Sequence, residues 1–120
     1  PGVTGVDATV AAWDGGQPWL DEIMAQLLAP RDWLAQTLAA ALPGVTFRRP
    51  QATYLAWLDC SALELGCPAG KFFLDKARVG LNFGETFGAR YANFARLNFA
   101  SPEPVLQQVV GRMVEAVRRR

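Results

Sequence analysis

The residue in this sequence best placed to do chemistry is an arginine. Arg96 stands at the centre of NFARLNFA (93–100), a strand-like run of Phe, Ala, Leu and Phe. A guanidinium stays charged at any working pH. Taking it out of water costs several kcal/mol unless a partner compensates. Either the Arg96 face of the strand is wet, or the cation is kept for a negative ligand. On the residues alone a structural or surface charge is the commoner use of such an arginine, and both readings stay open.

The other reactive side chains exclude more than they offer. The chain has no histidine, which rules out a Ser-His or Cys-His pair and any His-ligated metal site drawn from it. Cys60 and Cys67 are separated by six residues and match no C-x-x-C redox or zinc pattern. They read as two reduced thiols of a cytoplasmic protein. The only lysines are Lys71 and Lys76. Gly80, Gly84 and Gly88 recur every four residues in GLNFGETFG but do not form a G-x-G-x-x-G phosphate cradle. They read as a turn-rich connection over 82–92.

The elements that must position Arg96 are legible from pattern. The stretch from Gln17 to Leu42 reads as helix, opened by Gly15-Gly16 and Pro18 and closed by Pro43-Gly44. Trp19-Leu20, Ile23-Met24 and Leu27-Leu28 build one apolar face, Pro30 should interrupt or kink it, and Leu34, Leu38 and Leu42 resume it. VTFRR (45–49) and TYLAWLDC (53–60) read as strands, the second apolar on both faces and therefore covered on both sides. PAGKFFLDKA (68–77) reads as a short helix with Phe72, Phe73 and Ala77 inward, and RVGL (78–81) as a third strand. In the fourth strand, 93–99, Phe94, Arg96 and Asn98 share one face while Ala95, Leu97 and Phe99 share the other. A final helix begins with Ser101 as N-cap and carries the stripe Val105-Leu106, Val109-Val110, Met113-Val114, Val117.

The totals agree with one α+β domain: a small mixed or antiparallel sheet of about four strands packed with helices. The 120 residues are 51% hydrophobic and 19% charged, with net charge +1, so nothing pulls the chain toward nucleic acid or anionic lipid. No apolar run is long enough to span a bilayer. The abrupt start at PGVTGVDATVAAW, without an initiator Met, reads as a piece of something longer or a processed product.

Three segments, ATYLAWLDC, FFLDKARVGLNFGETFG and FARLNFASPE, in this order and spacing, resemble the C-terminal small domain of fold-type I pyridoxal-phosphate (PLP) enzymes. The resemblance is strongest to the class I/II aminotransferase-like C–S β-lyases of the MalY/PatB cystathionine β-lyase type, and GGQPWLDEIMAQL extends it over nearly the whole chain. It implies a single small domain over 1–120, with 1–44 a helical segment leading from a missing large domain and 45–120 the sheet-and-helix core. It implies that Arg96 grips the substrate's α-carboxylate, that Asn98 shares the pocket face, and that the loop at Gly84, Phe87 and Gly88 lies at the active-site mouth.

The family's Schiff-base lysine and cofactor-binding residues belong to the large domain, and Lys71 and Lys76 match no such motif. The resemblance therefore implies that this chain alone holds no catalytic or cofactor-binding residue and is inactive. The parent would be a cytoplasmic homodimer using pyridoxal 5'-phosphate to release thiol, pyruvate and ammonia from an amino acid such as cystathionine. Many relatives are richer in glycine before the arginine; here ARYANFA brings the bulk of Arg90 and Tyr91, which leaves the substrate range open. Two other readings stand beside it: the small domain of an aminotransferase, and a stand-alone, non-catalytic binding module with Trp13 and Trp19 as contact surface.

Overall fold

The computed structural model describes residues 2–120. Its elements are α1 (Val3–Gly15), α2 (Gln17–Ala41), β1 (Thr46–Phe47), β2 (Leu55–Asp59), α3 (Ala69–Phe72), β3 (Asn82–Phe83), β4 (Phe94–Asn98) and α4 (Glu103–Arg118). A π-helical turn, Phe73–Ala77, continues α3, and two 3₁₀ turns, Gly84–Phe87 and Ala89–Tyr91, join β3 to β4.

The four strands form one sheet in the order β1-β2-β4-β3, antiparallel throughout. Alternation along the two central strands divides it into two faces. Ala56 and Leu58 of β2 and Ala95 and Leu97 of β4 are buried together with Phe99. Leu34 and Leu38 of α2, Phe72, Phe73 and Ala77 of the 69–77 segment, and Leu106, Val110 and Met113 of α4 complete that core. The inward set expected for the 68–77 helix is the one observed. In α4 the stripe divides: Leu106, Val110, Met113 and Val114 are buried, while Val105 stays exposed.

Helix α2 is continuous through Pro30, which removes one backbone bond without ending the helix. Its apolar face is covered only in part. Leu34 and Leu38 are buried, but Trp19, Leu20, Met24 and Leu28 are exposed. Length explains the difference. Twenty-five helical residues reach about 37 Å, whereas a five-residue strand such as β2 reaches about 17 Å. The N-terminal half of α2, and all of α1, which buries no residue, therefore project past the sheet. The molecule is accordingly long, 52 × 29 × 23 Å. No described helix is long and apolar enough to cross a membrane.

Three local expectations are corrected. The third strand is Asn82–Phe83, not 78–81. Arg78 takes a left-handed conformation at φ 56° after the π-helical turn, and Val79 N–H still donates to the Phe73 carbonyl at 3.1 Å, so the chain has not yet become extended there. Ser101 does not cap α4: Pro102 occupies the cap position without a side-chain bond, and its carbonyl accepts from the N–H groups of Val105 and Leu106. Tyr54 precedes β2 rather than lying in it, and is 46% exposed.

Both cysteines are free, Cys60 buried and Cys67 half-buried. Burial, with a smaller contribution from the charge of Asp59, pushes the Cys60 thiol up to about 12. Thiolate is the reactive form, so Cys60 is inert in the folded chain. Iodoacetamide at pH 8 is expected to alkylate Cys67 alone, and Cys60 only after denaturant is added. Mass mapping of the labelled peptides checks this; equal labelling of both in the native state refutes it.

Candidate active site around Arg96

Strand β4 lies inside the sheet, so its Arg96 face has neighbours on both sides. Arg96 pairs in register with Trp57 of β2 and with Asn82 of β3. Its Nε and Nη2 both donate to Asn82 Oδ1, at 3.3 and 3.2 Å. Its Cζ lies 4.7 Å from the centroid of the Phe87 ring, within the range where the ring's negative face attracts a cation. Asn82 thus fixes one edge of the fork while Phe87 carries one of its faces.

The rest of this face is aromatic. Trp57 meets Phe87 edge to face at 5.4 Å and Tyr91 at 5.6 Å, and stacks with Phe94 at 5.5 Å. Arg90 Nη2 donates to Tyr91 Oη at 2.7 Å, so the bulk of Arg90 and Tyr91 extends this surface. Such edge-to-face and offset pairs are the favoured geometries for aromatic rings. They make a firm apolar floor beside the cation.

Two glycines place Phe87. At Gly84 a Cβ would collide with the carbonyl oxygens of Tyr91 and Phe94. At Gly88 the backbone has φ 137°, a region essentially closed to other residues. Gly84→Ala is expected to cost about 1–3 kcal/mol by overpacking and to move the turn that holds Phe87. A guanidinium-chloride midpoint gives the first effect, and the Phe87 ring resonances give the second. An unchanged midpoint with unshifted rings would refute this reading of Gly84.

Arg96 has no carboxylate partner among the described residues. The ion pairs found there are Arg31–Asp32, Arg49–Asp32, Lys71–Asp75 and Arg119–Glu115. The fork is held by a neutral amide and a ring, neither of which cancels its charge. Asn98 shares the face of Arg96, but its Oδ1 accepts the Ala100 N–H at 2.8 Å and so fixes the turn out of β4. Arg96 and Phe87 are in contact and the two glycines flank the turn that carries Phe87, while Asn98 makes no bond to Arg96. Asn82 and Trp57 are the site residues that sequence reasoning missed. Their roles depend on strand register, which two-residue β3 does not announce.

Neither lysine is among the partners of Arg96. Lys71 Nζ donates to Asp75 Oδ2 at 2.7 Å, and this bond raises its pKa, holding the amine protonated. Lys76 lies with Arg78, Glu115 and Arg119 on the α4 side. No group of three or more metal-ligating side chains occurs among the described residues. The described residues thus present a guanidinium without a carboxylate partner and bring neither lysine to it.

The chain matches no protein-family profile. It is 34% identical over 119 residues to the protein MalY of Escherichia coli K12, covering 98% of this chain and 30% of MalY. It is 34% identical over 113 residues to the cystathionine β-lyase PatB of Bacillus subtilis 168, covering 93% of this chain and 29% of PatB. Among solved structures, the PLP-bound C–S lyase of Staphylococcus hominis superposes with a TM-score of 0.82 at 31% identity, covering 89% of this chain and 29% of that one. The chain spans about a third of the length of the curated relatives it matches. Along nearly all of its own length, then, in sequence and in fold, the chain is a homologue of the MalY/PatB-type cystathionine β-lyases.

Proposed function

We propose that the chain is the C-terminal small domain of a PLP-dependent C–S β-lyase of the cystathionine β-lyase type, and that Arg96 binds the α-carboxylate of its amino-acid substrate. The observation that carries this reading is the Arg96 fork: oriented by Asn82, seated on Phe87, and not neutralised by any described carboxylate. A substrate carboxylate would supply the missing charge, and its bidentate fit would fix orientation as well as affinity. Arg96 positions and does not transfer a proton. Trp57, Phe87 and Tyr91 shield the pair from water, and the Gly84–Gly88 loop sets the mouth of the site. Asn98 borders the same face.

The electron-sink chemistry belongs to the cofactor, which the remainder of the polypeptide would hold. That remainder would also cover Trp13, Trp19 and the projecting half of α2, as the greater length of the relatives suggests. Residues 1–44 would lead from the large domain and 45–120 would form the small-domain core. The parent would work as a cytoplasmic homodimer, and the isolated 120 residues would be inactive.

The test is to supply the parent polypeptide with cystathionine and no keto acid. Equal release of thiol and pyruvate is expected. Amino transfer that requires a keto acid, without thiol, would assign the same domain to an aminotransferase. Neither reaction, with cystathionine bound, would leave a non-catalytic binding module.

A further inference from the structure

A guanidinium offers only N–H donors and no acceptor. Any group that orients Arg96 must therefore turn an oxygen toward it. The Asn82 amide does so: Oδ1 accepts from Nε at 3.3 Å and from Nη2 at 3.2 Å. Those two bonds use one edge of the fork. The outer edge, made by Nη1 and the second hydrogen of Nη2, makes no hydrogen bond among the described residues. The backbone keeps Asn82 in this place. Asn82 pairs in register with Arg96, and Phe83 with Ala95. Alternation sends Phe83 to the opposite face from Asn82. There its ring packs so closely on Gly70 of α3 that a Cβ at Gly70 would collide with it. A slip of β3 by one residue would break that fit and carry the amide off the Arg96 face.

We propose that Asn82 is a positioning residue of the Arg96 site, and that its neutrality lets the site select a carboxylate. Asparagine and aspartate have nearly the same shape. An aspartate here would accept the same two bonds, and more strongly, because both partners would be charged. It would also cancel the charge that an incoming carboxylate must find. The amide does the orienting without the cancelling. It fixes the Nε–Nη2 edge and leaves the outer edge, still charged, for two parallel bonds to a carboxylate. This inference rests on the carboxylate-binding reading of Arg96 given above.

The test combines steady-state kinetics of the parent polypeptide with guanidinium-chloride unfolding of the same variants. Asn82→Asp keeps the shape and strengthens the cross-strand pair, so its unfolding midpoint should equal or exceed that of wild type. Its KM should nevertheless rise about tenfold or more, because substrate must compete with a resident carboxylate, while kcat stays within about threefold. Inhibition by L-alanine and by L-alaninamide, which differ at the carboxyl end, gives a second readout. Asn82→Asp should lose about tenfold of the preference for alanine. Asn82→Ala should raise KM about three- to tenfold through lost orientation alone, and keep that preference. A merely structural role would rank the variants the other way, with Asn82→Asp the milder. Wild-type KM in Asn82→Asp overturns the proposal, and so does a loss in either variant that only tracks a lowered midpoint. Arg96→Ala, measured alongside, separates this proposal from the reading beneath it. If Arg96→Ala also keeps wild-type kcat/KM, the carboxylate reading itself fails. If Arg96→Ala loses activity and Asn82→Asp does not, only the role of Asn82 falls.

Discussion

Replacing Arg96 by alanine in the parent protein is expected to lower kcat/KM for the amino-acid substrate by about 2–5 kcal/mol, a factor of roughly thirty to several thousand. The range is that of truncating one partner of a desolvated, hydrogen-bonded charge pair. Most of the loss should fall on substrate binding, because the role proposed for the side chain is to position the carboxylate and a guanidinium has no proton to give. Arg96→Lys should fail as well. A lysine keeps the charge but loses the fork, and with it the second bond to the carboxylate and the flat contact with Phe87. Steady-state kinetics on both variants decides the matter, and wild-type kcat/KM in Arg96→Ala would sink the assignment. The folded state should barely register the change: Arg96 sits on the partly exposed face, and its polar partner Asn82 is exposed.

Phe73→Ala should do the reverse, destabilising the fold by about 3–5 kcal/mol, the range for truncating a buried aromatic residue. Phe73 is fully buried and meets Phe72 edge to face at 5.4 Å. It opens the π-helical turn that packs on α4. Its removal leaves a cavity between that turn and the sheet that neighbouring side chains can fill only in part. Chemical unfolding should show a lower midpoint at unchanged slope, the signature of lost stability without a change in the surface exposed. A loss under about 1 kcal/mol would mean that the site collapses easily and that Phe73 is not the keystone its burial suggests.

What could be read ahead from the chain depended on whether the signal was local. β2, β4 and α4 were legible because alternation and the four-residue stripe are short-range patterns, and the burial of Ala56, Leu58, Ala95, Leu97, Leu106 and Val110 follows them. Arg96 was legible because it breaks such a pattern. Asn82 was not, because its contact with Arg96 depends on which strand lies next to β4, a choice made by tertiary packing across fourteen residues. β3 was misplaced for a related reason: RVGL has the composition of a strand, but Arg78 closes the preceding helical turn in a left-handed backbone. The exposed face of α2 misled in another way. Trp19, Leu20, Met24 and Leu28 carry a core-like pattern, and periodicity reports that a face is apolar without saying what covers it.

The alternation along β4 has a bearing on how the chain finds its fold. Sliding β4 by one residue against β2 and β3 would send Arg96 into the space of Ala95 and Leu97, and those two out toward Trp57 and Asn82. The slipped sheet would bury a guanidinium among Leu58, Val110 and Met113 with nothing to pair it, an arrangement several kcal/mol worse. An all-apolar strand would carry no such penalty and could settle in either pairing. The charge proposed to receive the substrate thus also acts during folding as a proofreader, rejecting the misaligned sheet before any substrate is present.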